Sequence, residues 1–190
     1  MTTSQSLILD DKFIDNKGRS ITMSITKNKK KLNWHFTFSE DVNNMTFSMC
    51  GDCLYCAHGN KVSMFYTSNG KKKWTQDFGK KINTLSISPY NDFLLVGDNT
   101  NVLTMFDVNN HDVVWSYRFD DIITTTFFNP SATLVAFGGQ CKYVFILDAN
   151  TGEFVDSLCT ESYFNTAKFS TDGNHLEICD LNQHIKKLKI

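Results

Sequence analysis

The sequence predicts an all-β protein of about five small antiparallel sheets, four strands to each, packed side by side. Three observations carry this. Trp34, Trp74 and Trp115 recur 40 and then 41 residues apart, and a further 41 residues leads to Asp156, where the pattern persists without the tryptophan. Companion positions agree: Phe38, Phe78 and Phe119 follow each tryptophan by four residues, and Val42, Ile82, Ile123 and Phe164 stand at offset eight. Each period also splits into short apolar runs that Gly, Asn and Asp interrupt within about eight residues, too short for helices. A period near 40 residues marks small supersecondary units stacked on one another.

In the central unit the strands are expected at residues 82–88, 92–97, 102–107 and 112–119. The connections between them are SPYND, GDNTN and VNNHD, rich in residues that accept tight-turn dihedrals. Ser88-Pro89 recurs as Asn129-Pro130, and Ser170-Thr171-Asp172-Gly173 fills the same slot in the last unit. First strands carry one repeated face (Asn83, Leu85, Ile87; Thr124, Thr126, Phe128). Second strands are apolar almost throughout (Phe93 to Val96; Leu134 to Phe137), as a strand covered on both faces should be. Upstream, residues 20–26 align with 102–107, and residues 6–9 with Phe13-Ile14 supply two more strands. Downstream come 164–170, 175–179 and 184–190. The units span 6–38, 42–78, 82–119, 123–159 and 164–190, a single domain over 1–190 whose last unit lacks its outermost strand.

Composition fits a packed fold, with 41% hydrophobic and 13% aromatic residues in 190. Asp10 and Asp11 follow the first apolar patch too soon for a secretion signal, and no apolar run approaches the roughly 20 residues of a membrane helix. A soluble, cytoplasmic protein without a transmembrane segment is expected, and its six cysteines are then free thiols. The net charge of −1 conceals an asymmetry. Residues 1–95 hold 13 Lys/Arg against 8 Asp/Glu, while residues 96–190 hold 6 against 12. Such a difference can steer association, whereas the near-neutral total argues against general nucleic-acid binding.

At this point the residues resemble a known family. Ser88-Pro89, Ser170 to Gly173, Met105-Phe106-Asp107 and Ile146-Leu147-Asp148, repeated near 40 residues, are similar to the WD-repeat β-propeller. Leu147 to Gly152 and the Gly70…Trp74 stretch resemble the docking turn of pyrroloquinoline-quinone-type propellers. The resemblance implies a propeller of about five four-stranded blades, either a closed five-bladed ring, with residues 1–5 giving the missing outer strand, or part of a larger one. It also implies a non-enzymatic scaffold that presents rim loops to other macromolecules. The Gly-His pair of a full WD repeat is absent: those loops read Glu40-Asp41, Lys80-Lys81, Asp120-Asp121 and Glu161-Ser162. Neither adjacent cysteines nor clustered calcium-binding acids of the quinone family occur, so no cofactor is expected.

The tryptophans are expected to pack, since each heads an outer strand at a fixed offset. Cys50, Cys53 and Cys56 have C-x2-C-x2-C spacing with His58 beyond. Residues three apart on a strand point to opposite faces, so no metal site is expected. The five histidines share no repeat position, and no catalytic motif is present. The leading candidates are lysines. Lys27, Lys29, Lys30 and Lys31 occupy the turn between third and fourth strands of the first unit, and Lys71, Lys72 and Lys73 the equivalent turn of the next. On adjacent blades these seven would share one rim and favour an anionic partner, foremost an acidic protein surface, then anionic lipid or RNA. Two other readings compete with a scaffold. One is a subunit whose open ring another copy or chain completes; the other is an enzyme or cofactor-binding propeller.

Overall fold

In a computed structural model, which describes residues 6–9, 12–27 and 30–190 and the side chains of 18–23 and 34–190, every regular element is a β-strand. Among the described residues no helix is long and apolar enough to cross a membrane. The chain divides into two compact units, Met1–Ile82 and Asn83–Ile190. The first holds a sheet of β1 (Ser6–Leu9), β2 (Lys12–Lys17), β3 (Ser20–Lys27) and β4 (Lys30–Thr37). A second sheet there contains β5 (Val42–Phe47), β6 (Cys53–His58), β7 (Lys61–Tyr66) and β8 (Lys72–Asp77). The other unit takes over within β9 (Ile82–Ile87), which joins β10 (Phe93–Asp98), β11 (Val102–Asp107) and β12 (Val113–Arg118). Next come β13 (Ile123–Phe128), β14 (Leu134–Gly139), β15 (Tyr143–Asp148) and β16 (Phe154–Cys159). Last is a three-stranded sheet of β17 (Phe164–Phe169), β18 (His175–Asp180) and β19 (Ile185–Lys189). Neighbours pair antiparallel in sequence order, and no sheet closes on itself. The strands lie within a residue or two of the expected positions in the central unit. Residues 1–5, the expected source of a missing outer strand, lie outside the described residues.

The double cover expected of second strands is visible at β14. Val135 and Phe137 pack against Leu95, Leu103 and Met105 of the preceding sheet. Ala136, on the opposite face, joins Val144 and Ile146 against Phe164, Ala167, Leu176 and Ile178 of the following one. In the first unit Ile21 and Met23 of β3 meet Leu54, Cys56 and Phe65 in the same way. Interleaving of this kind removes apolar surface from water at about 25 cal/mol per Å².

Turns after β5, β9, β13 and β17 are fixed by a polar side chain one residue past the strand, buried at Ser48, Ser88 and Asn129 and half-buried at Ser170. Ser88 Oγ accepts the amides of Asp92 (3.1 Å) and Phe93 (3.0 Å). Asn129 Oδ1 accepts those of Thr133 and Leu134, both at 2.9 Å. Ser48 and Ser170 each take one, from Cys53 and His175, at 3.0 Å. These bonds satisfy amides that a tight reversal would otherwise leave unpaired.

Adjacent sheets are clamped by tryptophan. Trp115 of β12 donates Nε1–H to the Ala149 carbonyl (2.8 Å), just past β15 in the next sheet. Its ring lies on Gly152, where an added Cβ would come within 2.7 Å of the indole. Trp34 of β4 repeats this on the Thr67 carbonyl (2.9 Å) and Gly70. Both glycines have φ near +70°, a conformation that side chains disfavour. The likeness to a docking turn thus joins Gly70 to Trp34 of the preceding sheet. In β8, β12 and β16 a register shift falls just ahead of the tryptophan position, as in Met105↔Trp115 followed by Phe106↔Val113. This bulge leaves the first two residues of each outer strand exposed.

The outer face of the last sheet breaks the apolar rule. Its cross-strand set Lys168–Glu177–Lys187 occupies the places of Phe127–Ala136–Ile146 in the sheet before. Glu177 accepts both ammonium groups, at 3.3 and 2.6 Å, and they hold its carboxyl below the usual range.

One polar chain runs across the second sheet, from buried His58 and Ser63 to exposed Thr75. His58 Nε2 and Ser63 Oγ share a 2.8 Å hydrogen bond, Ser63 and Thr75 another of 2.8 Å, and the imidazole stacks on Phe38 at 4.2 Å. Burial, reinforced by the Lys61 and Lys72 charges, pushes His58 down to about 4.

Two predictions follow from these features. Gly152→Ala meets both the left-handed backbone and the indole and should cost about 2–4 kcal/mol. Gly173→Ala shares a positive φ but finds its nearest neighbour at 3.7 Å, so it should cost only about 1–2 kcal/mol; urea unfolding checks the difference. For His58 the unfolded chain takes up a proton near pH 6.5 while the folded chain resists until about 4. Stability should therefore fall as pH drops through that window and level off below it, by about 3 kcal/mol in all. His58→Gln should flatten this limb in denaturant titrations run at each pH.

Candidate interaction rim

The turn joining β7 to β8 is built by local bonds. Gly70 N–H returns to the Tyr66 carbonyl at 2.9 Å, Tyr66 N–H donates to the Lys71 carbonyl at 3.0 Å, and Asn69 Oδ1 accepts the Lys71 amide at 2.8 Å. Thr67 ties it to the β5–β6 turn at the same end of the sheet. Its amide donates to the Asp52 carbonyl (2.9 Å) and its hydroxyl to that of Gly51 (2.7 Å). Trp34 then pins the whole assembly to β4 through the Thr67 carbonyl.

On this frame Lys71, Lys72 and Lys73 are exposed. Lys71 belongs to the turn, whereas Lys72 and Lys73 already open β8 and flank its bulge. Lys72 Nζ lies 5.6 Å from the centre of the Phe36 ring of β4, a cation–π contact across the two sheets. None of the three forms an ion pair among the described residues. In the first sheet Lys27 closes β3 and Lys30 and Lys31 open β4, with Lys27 opposite Lys30. Lys29 lies outside the described residues, as do the side chains of Lys27, Lys30 and Lys31. The lysines therefore head strands as much as they occupy turns.

A second concavity, of about 330 Å³, opens at the other end of the same two sheets. Arg19, Glu40, Asp41 and Lys81 line it, with Arg19 Nε 3.6 Å from Asp41 Oδ1. Its charges are mixed and partly self-paired, so it offers no single-sign surface. The cysteines of the C-x2-C-x2-C stretch are split: Cys50 is exposed in a turn, Cys53 heads β6, and Cys56 is enclosed in the core between the sheets. Among the described residues no three His, Cys, Asp or Glu side chains group as metal ligands.

The Trp34 clamp, the Lys72–Phe36 contact and the strand-head bulge have no unique sequence signal. Only the recurrence of Gly70 and Gly152 four residues before the repeat position hinted at the clamp. Trp34→Phe keeps the ring but removes the donor to Thr67. Amide exchange at Gly70 and Lys71 should then quicken about fivefold, the worth of a hydrogen bond of about 1 kcal/mol. A scan against protein-family models finds no match for the chain, and a search of the curated proteins finds none either.

Proposed function

We propose that the chain is a non-enzymatic, propeller-type scaffold whose lysine rim binds an acidic protein segment. The carrying observation is the β7–β8 turn: Trp34 holds it against β4 while Lys71, Lys72 and Lys73 stand exposed on it. Ammonium groups on a rigid frame attract anions without a large ordering cost. The propeller reading rests on the 40-residue repeat, on sheets covered on both faces, and on the approach of β13 to both β10 and β17. The likeness to WD-repeat and quinone-type propellers adds fold-level analogy.

Completion of an open ring by another copy or chain fits the last sheet less well. Lys168, Glu177 and Lys187 lie on the face that a completing sheet would cover. Any neighbour there, from this chain or another, has to meet charges with polar groups.

The test is retention on an immobilised poly-glutamate peptide, with anionic vesicles and single-stranded RNA as comparators. The native chain should bind the peptide at low ionic strength and lose it above about 0.5 M salt, where screening is nearly complete beyond about 4 Å. Reversing Lys30, Lys31, Lys72 and Lys73 to Glu should weaken binding at least about tenfold while costing no more stability than the Lys72–Phe36 contact, about 0.5–1 kcal/mol. Unchanged retention removes the rim from the function, and preference for vesicles or RNA replaces the acidic protein with that partner.

A further inference from the structure

The β5–β6 turn and the head of β6 each place a cysteine beside one hydroxyl, that of Ser48. Cys50 is exposed in the turn, and Cys53 is buried at the head of β6. Ser48 Oγ, itself buried, lies 3.4 Å from Cys50 Sγ, accepts the Cys53 amide at 3.0 Å and lies 3.4 Å from the Cys53 carbonyl. The chain reverses between the two cysteines. Gly51 takes φ +70° and donates to the Ser48 carbonyl at 2.8 Å, while Ser48 N–H donates to the Cys53 carbonyl at 2.9 Å. A disulfide needs Cα atoms about 4.4–6.8 Å apart, and Cys50 and Cys53 both lie within the short loop, residues 48–53, that the Ser48–Cys53 backbone bond closes. Cys56 lies three residues further along β6 in the inter-sheet core, away from this hydroxyl. Cys141, Cys159 and Cys179 all belong to the other unit.

We propose that Cys50 and Cys53 are a reversible redox pair that closes into a disulfide across the β5–β6 turn when a hydroperoxide oxidises Cys50. The Cys50 thiolate attacks the peroxide oxygen, the O–O bond breaks, and one water leaves with the thiol's proton, giving a sulfenic acid. The Cys53 sulfur then attacks Cys50 Sγ, the S–O bond breaks, and the hydroxyl leaves as a second water carrying the Cys53 proton. Two thiols and one hydrogen peroxide thus become one disulfide and two waters. The roles follow from placement. Exposed Cys50 meets the oxidant. Burial raises the cost of a Cys53 thiolate, as do the nearby Cys50 and Asp52, while the Ser48 hydroxyl and the Lys73 ammonium favour it. Because Gly51 and Asp52 hold Thr67, and Thr67 receives Trp34, the bond would form at the base of the clamped rim. The proposal concerns thiol chemistry alone and stands whether or not the rim binds an acidic partner.

The experiment treats the full chain with hydrogen peroxide, alkylates free thiols after denaturation and maps peptides by mass. The expected product is a Cys50–Cys53 disulfide that dithiothreitol reverses, with Cys56 still alkylated. In Cys53→Ser, Cys50 should be trapped by dimedone as sulfenic acid at least about tenfold more than in the native chain. In Cys50→Ser, Cys53 should stay alkylatable. The native-chain map decides by itself should either variant fail to fold. Dimedone-labelled Cys50 without the internal disulfide overturns the proposal, as does oxidation of Cys141 or Cys159 with Cys50 and Cys53 left reduced.

Discussion

The contact on which the rest of this architecture hangs is an indole laid on a glycine of the next sheet, its N–H on a carbonyl three residues before that glycine. Trp34 reaches Thr67 and Gly70; Trp115 reaches Ala149 and Gly152. The bond supplies direction and the glycine supplies the distance of approach, which no side chain at that place would permit. Together they fix how far the β5–β8 sheet sits from β1–β4, and the β13–β16 sheet from β9–β12. Apolar interleaving alone is non-directional and sets no such spacing.

The clamp works because other parts of the repeat are built to receive it. In β8, β12 and β16 a bulge falls just ahead of the tryptophan position, and the two residues that open each of these strands are exposed. What those residues are varies freely: Lys72-Lys73, Val113-Val114 and Phe154-Val155 share one backbone setting. Apart from the Lys72 contact to Phe36, they stand outside the core, so they are where one repeat can differ chemically from the next. At the same end, Ser48, Ser88, Asn129 and Ser170 organise the turns from within, freeing the exposed positions from structural duty.

This division between clamp, core and free positions makes a rim-binding scaffold a coherent proposal. It also bears on the last sheet, whose outer face is charged at the positions where the preceding sheet is apolar. Ala167, Leu176 and Ile178 pack inward, whereas Lys168 and Lys187 both pair with Glu177 on the other face. A covered sheet gains by burying Ala136 and Ile146; a sheet facing water gains nothing from them and is better served by paired charges.

The sequence by itself determined the all-β class, the number and order of strands, the repeat length and the packing role of the tryptophans. Each of these is periodic, and periodicity is written in one dimension. It also marked Ser88, Asn129 and Ser170 as turn residues, because turn chemistry is local. Only the tertiary structure decided which glycine serves which tryptophan, that Lys72 lies over Phe36, that His58 is enclosed with Ser63, and that the Ser48 hydroxyl lies beside both the Cys50 thiol and the Cys53 amide. The first two of these join residues of different sheets. The last two depend on which side of a strand or turn ends up covered. Both are set by where neighbouring sheets come to rest, a quantity that no spacing along the chain records.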